Sequence, residues 1–164
     1  MSGRTNFSDE EWNILRLAPV LVAGGISAAD PSGLIGTIKE AFSGMSSMME
    51  SYQQSAQLEL IDALLADKSM PATPDRQALL GEGSREQQAE HLKAAVLGKV
   101  RDALALLGTK ATPEEVAAYK QMLTTVAEHT AKAAKEGGFL GFGGERVSAG
   151  EQAFLDQLKS VLQG

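Results

Sequence analysis

The sequence predicts an all-α protein, and three observations support this fold class. Signals for helix starts recur along the chain, the apolar residues between them follow helical spacing, and no segment alternates like a strand. The predicted architecture is a single compact bundle of about six to seven helices, in one domain that spans residues 1–164. We expect helices near residues 9–29, 31–67, 74–81, 85–107, 113–136 and 149–163.

The first helix is predicted to begin after Ser8. Ser8 and Glu11 have the three-residue spacing of a capping box, in which each side chain accepts from the other residue's backbone N–H. Phe7 and Trp12 are placed on either side of this cap to form a hydrophobic staple. The local sequence therefore fixes the start of this helix.

The middle of the first helix contains residues that are unusual in a helix. Pro19 removes one backbone hydrogen bond and is predicted to kink the helix. Gly24 and Gly25 follow, and they indicate either the end of the helix or a close approach by another helix. The sequence leaves these two alternatives open.

Similar start signals define the later helices. Thr112 and Glu115 repeat the capping box, with Pro113 at the first helical position. Further starts are predicted at Thr73, Ser84 and Ser148, with a weaker one at Asp30.

The apolar spacing predicts which helix faces are buried and where helices end. The helix at 85–107 has an apolar face formed by Ala89, Leu92, Val96, Val100, Ala103 and Leu107. Gly108 is predicted to end this helix. The helix at 31–67 has apolar residues in steps of four and three, but a break near residues 44–50 is equally consistent with Gly44 and its Ser/Met-rich surroundings.

Composition and charge exclude several classes of protein. The chain has no cysteine, which excludes disulfides, thiolate metal sites and a cysteine nucleophile. Its net charge of −6 arises in residues 1–67, which carry three basic and nine acidic side chains. This acidic character argues against nucleic-acid binding. The longest apolar run, residues 17–29, is shorter than the roughly 20 residues of a membrane span. Because a signal-peptide pattern is also lacking, we predict a cytoplasmic protein without a transmembrane segment.

Two segments suggest an internal repeat. Residues 10–36 and 114–141 align with one gap, and both contain a capped start, an apolar helix, an Ala-rich stretch and a glycine pair around two apolar residues. If the similarity is a true repeat, two helix-turn units pack with pseudo-twofold symmetry.

The same two regions carry a family resemblance. Ala29-Asp30, Gly33 and Glu40, together with "AAKEGGFLGFGGERVSAGE" at residues 133–151, resemble the TerB-like tellurite-resistance superfamily. The resemblance implies a small all-helical protein with an acidic, metal-linked surface and a role in bacterial stress response. The second element has Lys135-Glu136 where the family has Ala-Asp.

The glycine-rich stretch at 137–144 is a candidate functional loop. Phe139, Leu140 and Phe142 lie among its glycines, and the favoured interpretation is that they fold onto the protein's own core. The alternative is that they are exposed as an anchor for a ligand or partner. A phosphate-binding loop is disfavoured, because the spacing of the known glycine motifs is absent.

The remaining candidates are ionisable or adaptable side chains. His91 and His129 each follow a glutamate, and the favoured interpretation is that both are exposed on their helix faces. The alternative is that they meet across two helices as a metal-binding or catalytic pair, or serve as an anchor for a ligand or partner. Asp30 and Glu40 are candidate ligands of a divalent cation. The methionines near residues 45–49 are typical of a helix-helix seam, which could also join two copies in a homodimer.

We therefore expect a non-catalytic helical protein that acts through partner contacts or cation binding, in a stress or tellurite-resistance role. The alternative function is a small-molecule-binding protein or enzyme with a pocket between helices. The sequence favours the first because no catalytic spacing is recognisable.

Overall fold

The computed structural model describes residues 2–28, 58–136 and 149–164, and in these residues it confirms the all-α fold. A short 3₁₀-helix at Arg4–Asn6 precedes six α-helices, and the described ranges contain no strand. The helices are α1 (Asp9–Ala28), α2 (Glu59–Ala66), α3 (Arg76–Leu80), α4 (Arg85–Lys110), α5 (Pro113–Glu136) and α6 (Ala149–Gln163).

Helix α1 is the centre of the bundle. It packs mainly against α4 and α5, and also against α6. From Leu17 to Ile26 it is apolar on all sides, and its buried side chains there include Leu17, Ala18, Val20, Leu21, Val22, Ala23 and Ile26. Such a helix is typical of a protein core. No helix in the described part of the chain is both long enough and apolar enough to cross a membrane.

The surrounding helices turn one apolar face each towards α1. Helix α4 contributes Val96, Leu97, Val100, Ala103 and Leu107 to the core. Helix α5 contributes Tyr119, Met122, Leu123, Val126, Ala127 and Ala131, and α6 contributes Phe154, Leu155, Leu158 and Leu162. For α4 the helical spacing of the sequence predicted Val96, Val100, Ala103 and Leu107, because residues three and four apart share a face.

The predicted cap of α1 is confirmed in both directions. The backbone N–H of Ser8 donates to Oε2 of Glu11 at 2.8 Å, and the N–H of Glu11 donates to Oγ of Ser8 at 3.2 Å. Phe7 and Trp12 are both buried, with ring centroids 5.9 Å apart. The staple therefore fixes how residues 2–7 enter the helix.

The predicted caps of α4 and α5 are confirmed as well. Oγ of Ser84 accepts from the N–H of Gln87 at 3.3 Å, and the Gln87 side chain accepts from the N–H of Ser84 at 2.9 Å. Thr112 and Glu115 make the same reciprocal pair at 3.3 and 3.0 Å. These pairs form because both partners lie within one helical turn.

Helix α4 ends later than predicted. Gly108 lies inside the helix, which continues to Lys110, and the N–H of Ala111 still bonds to the carbonyl of Leu107. The last turn is held by a distant contact, since Oγ of Ser2 donates to the Lys110 carbonyl at 2.7 Å. A glycine permits a helix end but does not require one.

Two other boundaries differ from the prediction. Helix α2 begins at Glu59, and Leu58 before it is extended, so a helix from residue 31 to residue 67 cannot be continuous through Leu58. Helix α3 begins at Arg76 after Asp75, and Thr73 is not its cap. The predicted break near residues 44–50, the starts at Asp30 and Ser148, and parts of both repeat units lie outside the described residues.

Pro19 lies within α1 and removes the N–H that would bond to the carbonyl of Leu15. The hydroxyl of Tyr119 on α5 replaces that donor, with an Oη to O distance of 2.8 Å. Tyr119 is fully buried. The side chain therefore satisfies a buried carbonyl that the helix itself leaves without a partner.

Gly25 is the point of close approach that the glycine pair predicted. A Cβ atom added there would lie 3.0 Å from Cζ of Phe154 and 3.3 Å from Cγ2 of Val96. A Cβ atom added at Gly24 would have no described atom within 4 Å. Helix α1 continues to Ala28, so the alternative that the glycines end it is wrong.

We expect Gly25→Ala to lower the free energy of unfolding by about 1 kcal/mol, because the added methyl group must displace the Phe154 ring or the Val96 side chain. Gly24→Ala is the matched control, and we expect it to be neutral or stabilising by up to about 1 kcal/mol through helix propensity. Urea unfolding of both variants measures the difference. Equal effects of the two substitutions would contradict the close packing at Gly25.

Candidate functional site

The structure describes two of the predicted site residues, His91 on α4 and His129 on α5, and both are exposed. The His91 ring lies against Gly81, since a Cβ atom at Gly81 would be 3.3 Å from its Cγ and Nδ1 atoms. Gly81 has a positive φ of 63° after the end of α3, a conformation that favours glycine. A side chain at this position would therefore be strained and would crowd the histidine.

The glutamates that precede the two histidines are each paired with a lysine. Glu90 lies 2.8 Å from Nζ of Lys93, and Glu128 lies 3.7 Å from Nζ of Lys159 on α6. In the part of the chain that the structure describes, no three His, Asp or Glu side chains are grouped to hold a metal ion. The pairing of His91 and His129 therefore stays a prediction, and the described residues do not form a metal centre around it.

The other predicted site residues lie outside the described ranges. This applies to the candidate cation ligands Asp30 and Glu40, and to the loop residues Phe139, Leu140 and Phe142.

The structure does reveal a buried polar cluster around Glu115, which is 1% exposed. Its Oε1 atom accepts from the backbone N–H of Ser2 at 2.8 Å, and its Oε2 atom accepts from the N–H of Thr112 at 3.0 Å. Burial by itself would raise the pKa of Glu115, but these hydrogen bonds outweigh it and hold the pKa below the ordinary 4.5. The carboxylate joins residue 2 to the corner between α4 and α5.

Lys110 extends this connection on the surface. Its Nζ atom lies 2.6 Å from Oε2 of Glu11 and 3.3 Å from the carbonyl of Asn6. It also lies 5.6 Å from the centroid of the Phe7 ring, within cation–π range. The hydrogen bond from Lys110, followed by that from Ser8, lowers the pKa of Glu11. Residues 2–7 are thus held at both ends.

A second cluster surrounds Asp67, directly after α2. Its Oδ2 atom accepts from the Trp12 indole N–H at 3.0 Å and lies 3.4 Å from Nε of Arg16. Its Oδ1 atom accepts from both the hydroxyl and the N–H of Ser69, at 2.6 and 3.2 Å. Burial would raise the pKa of Asp67, but these donors lower it below the ordinary 3.8.

Asn13 completes the attachment of this segment to α1. Its side-chain amide donates to the carbonyl of Ala72 at 2.9 Å and accepts from the N–H of Ala72 at 2.7 Å. Trp12, Asn13 and Arg16 therefore hold residues 67–72 on one face of α1. Sequence reasoning missed this contact, although an Asp side chain commonly accepts from the backbone N–H two residues later in a turn, as Asp67 does from Ser69.

We expect Asp67→Asn to destabilise the protein by about 1 kcal/mol at pH 7, because the amide loses the charge that Arg16, Trp12 and Ser69 stabilise. The folded-state pKa is lowered, so this stabilisation is present above pH 3.8 and is lost as pH falls through the folded value. Urea unfolding measures the free energy of unfolding of the unsubstituted protein and of Asp67→Asn at pH 7 and pH 3. The two values should differ less at pH 3 than at pH 7.

The exposed Asp62 of α2 provides the control for this experiment, and Asp62→Asn should change stability little at either pH. A pH-independent loss in Asp67→Asn would contradict the assigned role of the carboxylate.

The fold and the two clusters define an all-α helical bundle. Its described carboxylates with a lowered pKa bond to groups of the protein itself and stabilise the fold. Comparison of the chain with protein-family models, with curated proteins and with solved structures finds no match.

Proposed function

We propose that this protein is a non-catalytic helical protein that acts through contacts with a protein partner. The observation that carries the proposal is that three carboxylates in the described residues bond to other groups of the protein itself. Glu115, Asp67 and Glu11 each have a lowered pKa, and each accepts hydrogen bonds from the chain's own caps, turns and side chains. A catalytic carboxylate commonly has a pKa matched to its reaction with a substrate. These three carboxylates instead hold helices and connecting segments together.

The contact surface that we assign to this function includes Met70. Met70 is the one large hydrophobic residue among the described residues that is exposed, and 49% of its surface is accessible to solvent. It lies in the segment that Trp12 and Asn13 hold against α1. Methionine side chains are flexible and polarisable, so they suit surfaces that adapt to a partner. A fixed backbone beneath the side chain lowers the entropy cost of binding.

A stress or tellurite-resistance role, and cation binding by Asp30 and Glu40, are further parts of the proposal. They are supported by the sequence resemblance to the TerB-like superfamily and by the oxygen ligands that a hard cation prefers.

The test of the partner surface is site-specific photo-crosslinking in the cells that produce the protein. A photoreactive amino acid is placed at Met70 and, in a control variant, at the exposed Gln121 of α5. We expect one discrete adduct from position 70, suppressed by excess unlabelled protein and absent from position 121. Equal adducts from both positions, or none from position 70, would overturn the assignment of this surface.

Native mass spectrometry of protein purified without chelators tests the non-catalytic part of the proposal. A polypeptide mass with no organic adduct agrees with the proposal, and an added metal mass agrees with cation binding. A retained organic molecule would contradict it and favour a small-molecule-binding protein with a pocket between helices.

A further inference from the structure

We draw no further inference here: the strongest candidate, the half-buried Arg16 side chain on the face of α1 that carries residues 67–72, already serves to hold that segment through Asp67, and in the described residues no second observation beside its unpartnered Nη2 atom indicates a ligand.

Discussion

Glu115→Gln is expected to lower the free energy of unfolding by about 3 kcal/mol at pH 7. The carboxylate is buried and accepts one backbone N–H at each oxygen, from Ser2 and from Thr112. An amide has a single acceptor oxygen, and its NH2 group would face the other N–H donor. The variant therefore loses a charge-assisted hydrogen bond and leaves a buried donor without a partner. Urea unfolding followed by circular dichroism measures the loss.

The pH dependence distinguishes this role from a simple packing effect. The folded-state pKa of Glu115 is below the ordinary 4.5, so its carboxylate stabilises the fold above that value and loses this effect as pH falls through the folded pKa. The difference in the free energy of unfolding between the unsubstituted protein and Glu115→Gln should therefore become smaller towards pH 3. Glu114→Gln is the matched control, because Glu114 is exposed in the same helical turn. A loss no larger than that of the control would refute the assigned role.

Tyr119→Phe is expected to destabilise the protein by about 2 kcal/mol, because it leaves the Leu15 carbonyl without a donor. Burial raises the pKa of the Tyr119 hydroxyl, so the group stays protonated and continues to donate at neutral and acidic pH. The ring itself is retained in phenylalanine, and the substitution therefore tests the hydroxyl alone. Chemical denaturation at pH 7 provides the measurement.

A double-mutant cycle with Pro19→Ala identifies the acceptor. Alanine at position 19 restores the N–H that bonds to the Leu15 carbonyl within the helix, so the Tyr119 hydroxyl becomes partly redundant. We expect Tyr119→Phe to cost at least about 1 kcal/mol less in this background. If the cost is the same in both backgrounds, the hydroxyl does not compensate for the proline.

The sequence predicted the local parts of these sites well. The Ser8, Ser84 and Thr112 caps were predicted because each depends on two side chains that lie three residues apart. The apolar faces were predicted because helical spacing repeats regularly. Gly108 was a wrong prediction of a helix end, since Ser2 holds the last turn of α4 from a distance.

The candidate sites were predicted less well. His91 and His129 are exposed on their helices, as the favoured interpretation of the sequence expected, and their role as a pair stays a prediction. The Asp67 cluster was missed because two of its donors, Trp12 and Arg16, belong to another helix, and the Trp12 indole lies 55 residues from Asp67 in the chain.

The sequence by itself determined the all-α class, the capped starts of α1, α4 and α5, and the hydrogen-bond donor that Pro19 removes from α1. Only the tertiary structure showed that Tyr119, which is 104 residues from Leu15 in the chain, donates to the Leu15 carbonyl in place of the missing N–H, and that Glu115 binds Ser2 across 113 residues. The physical reason is the range of the interactions. Caps and helical spacing act within one or two turns, whereas many distant donors could satisfy a buried acceptor until packing brings one of them into contact.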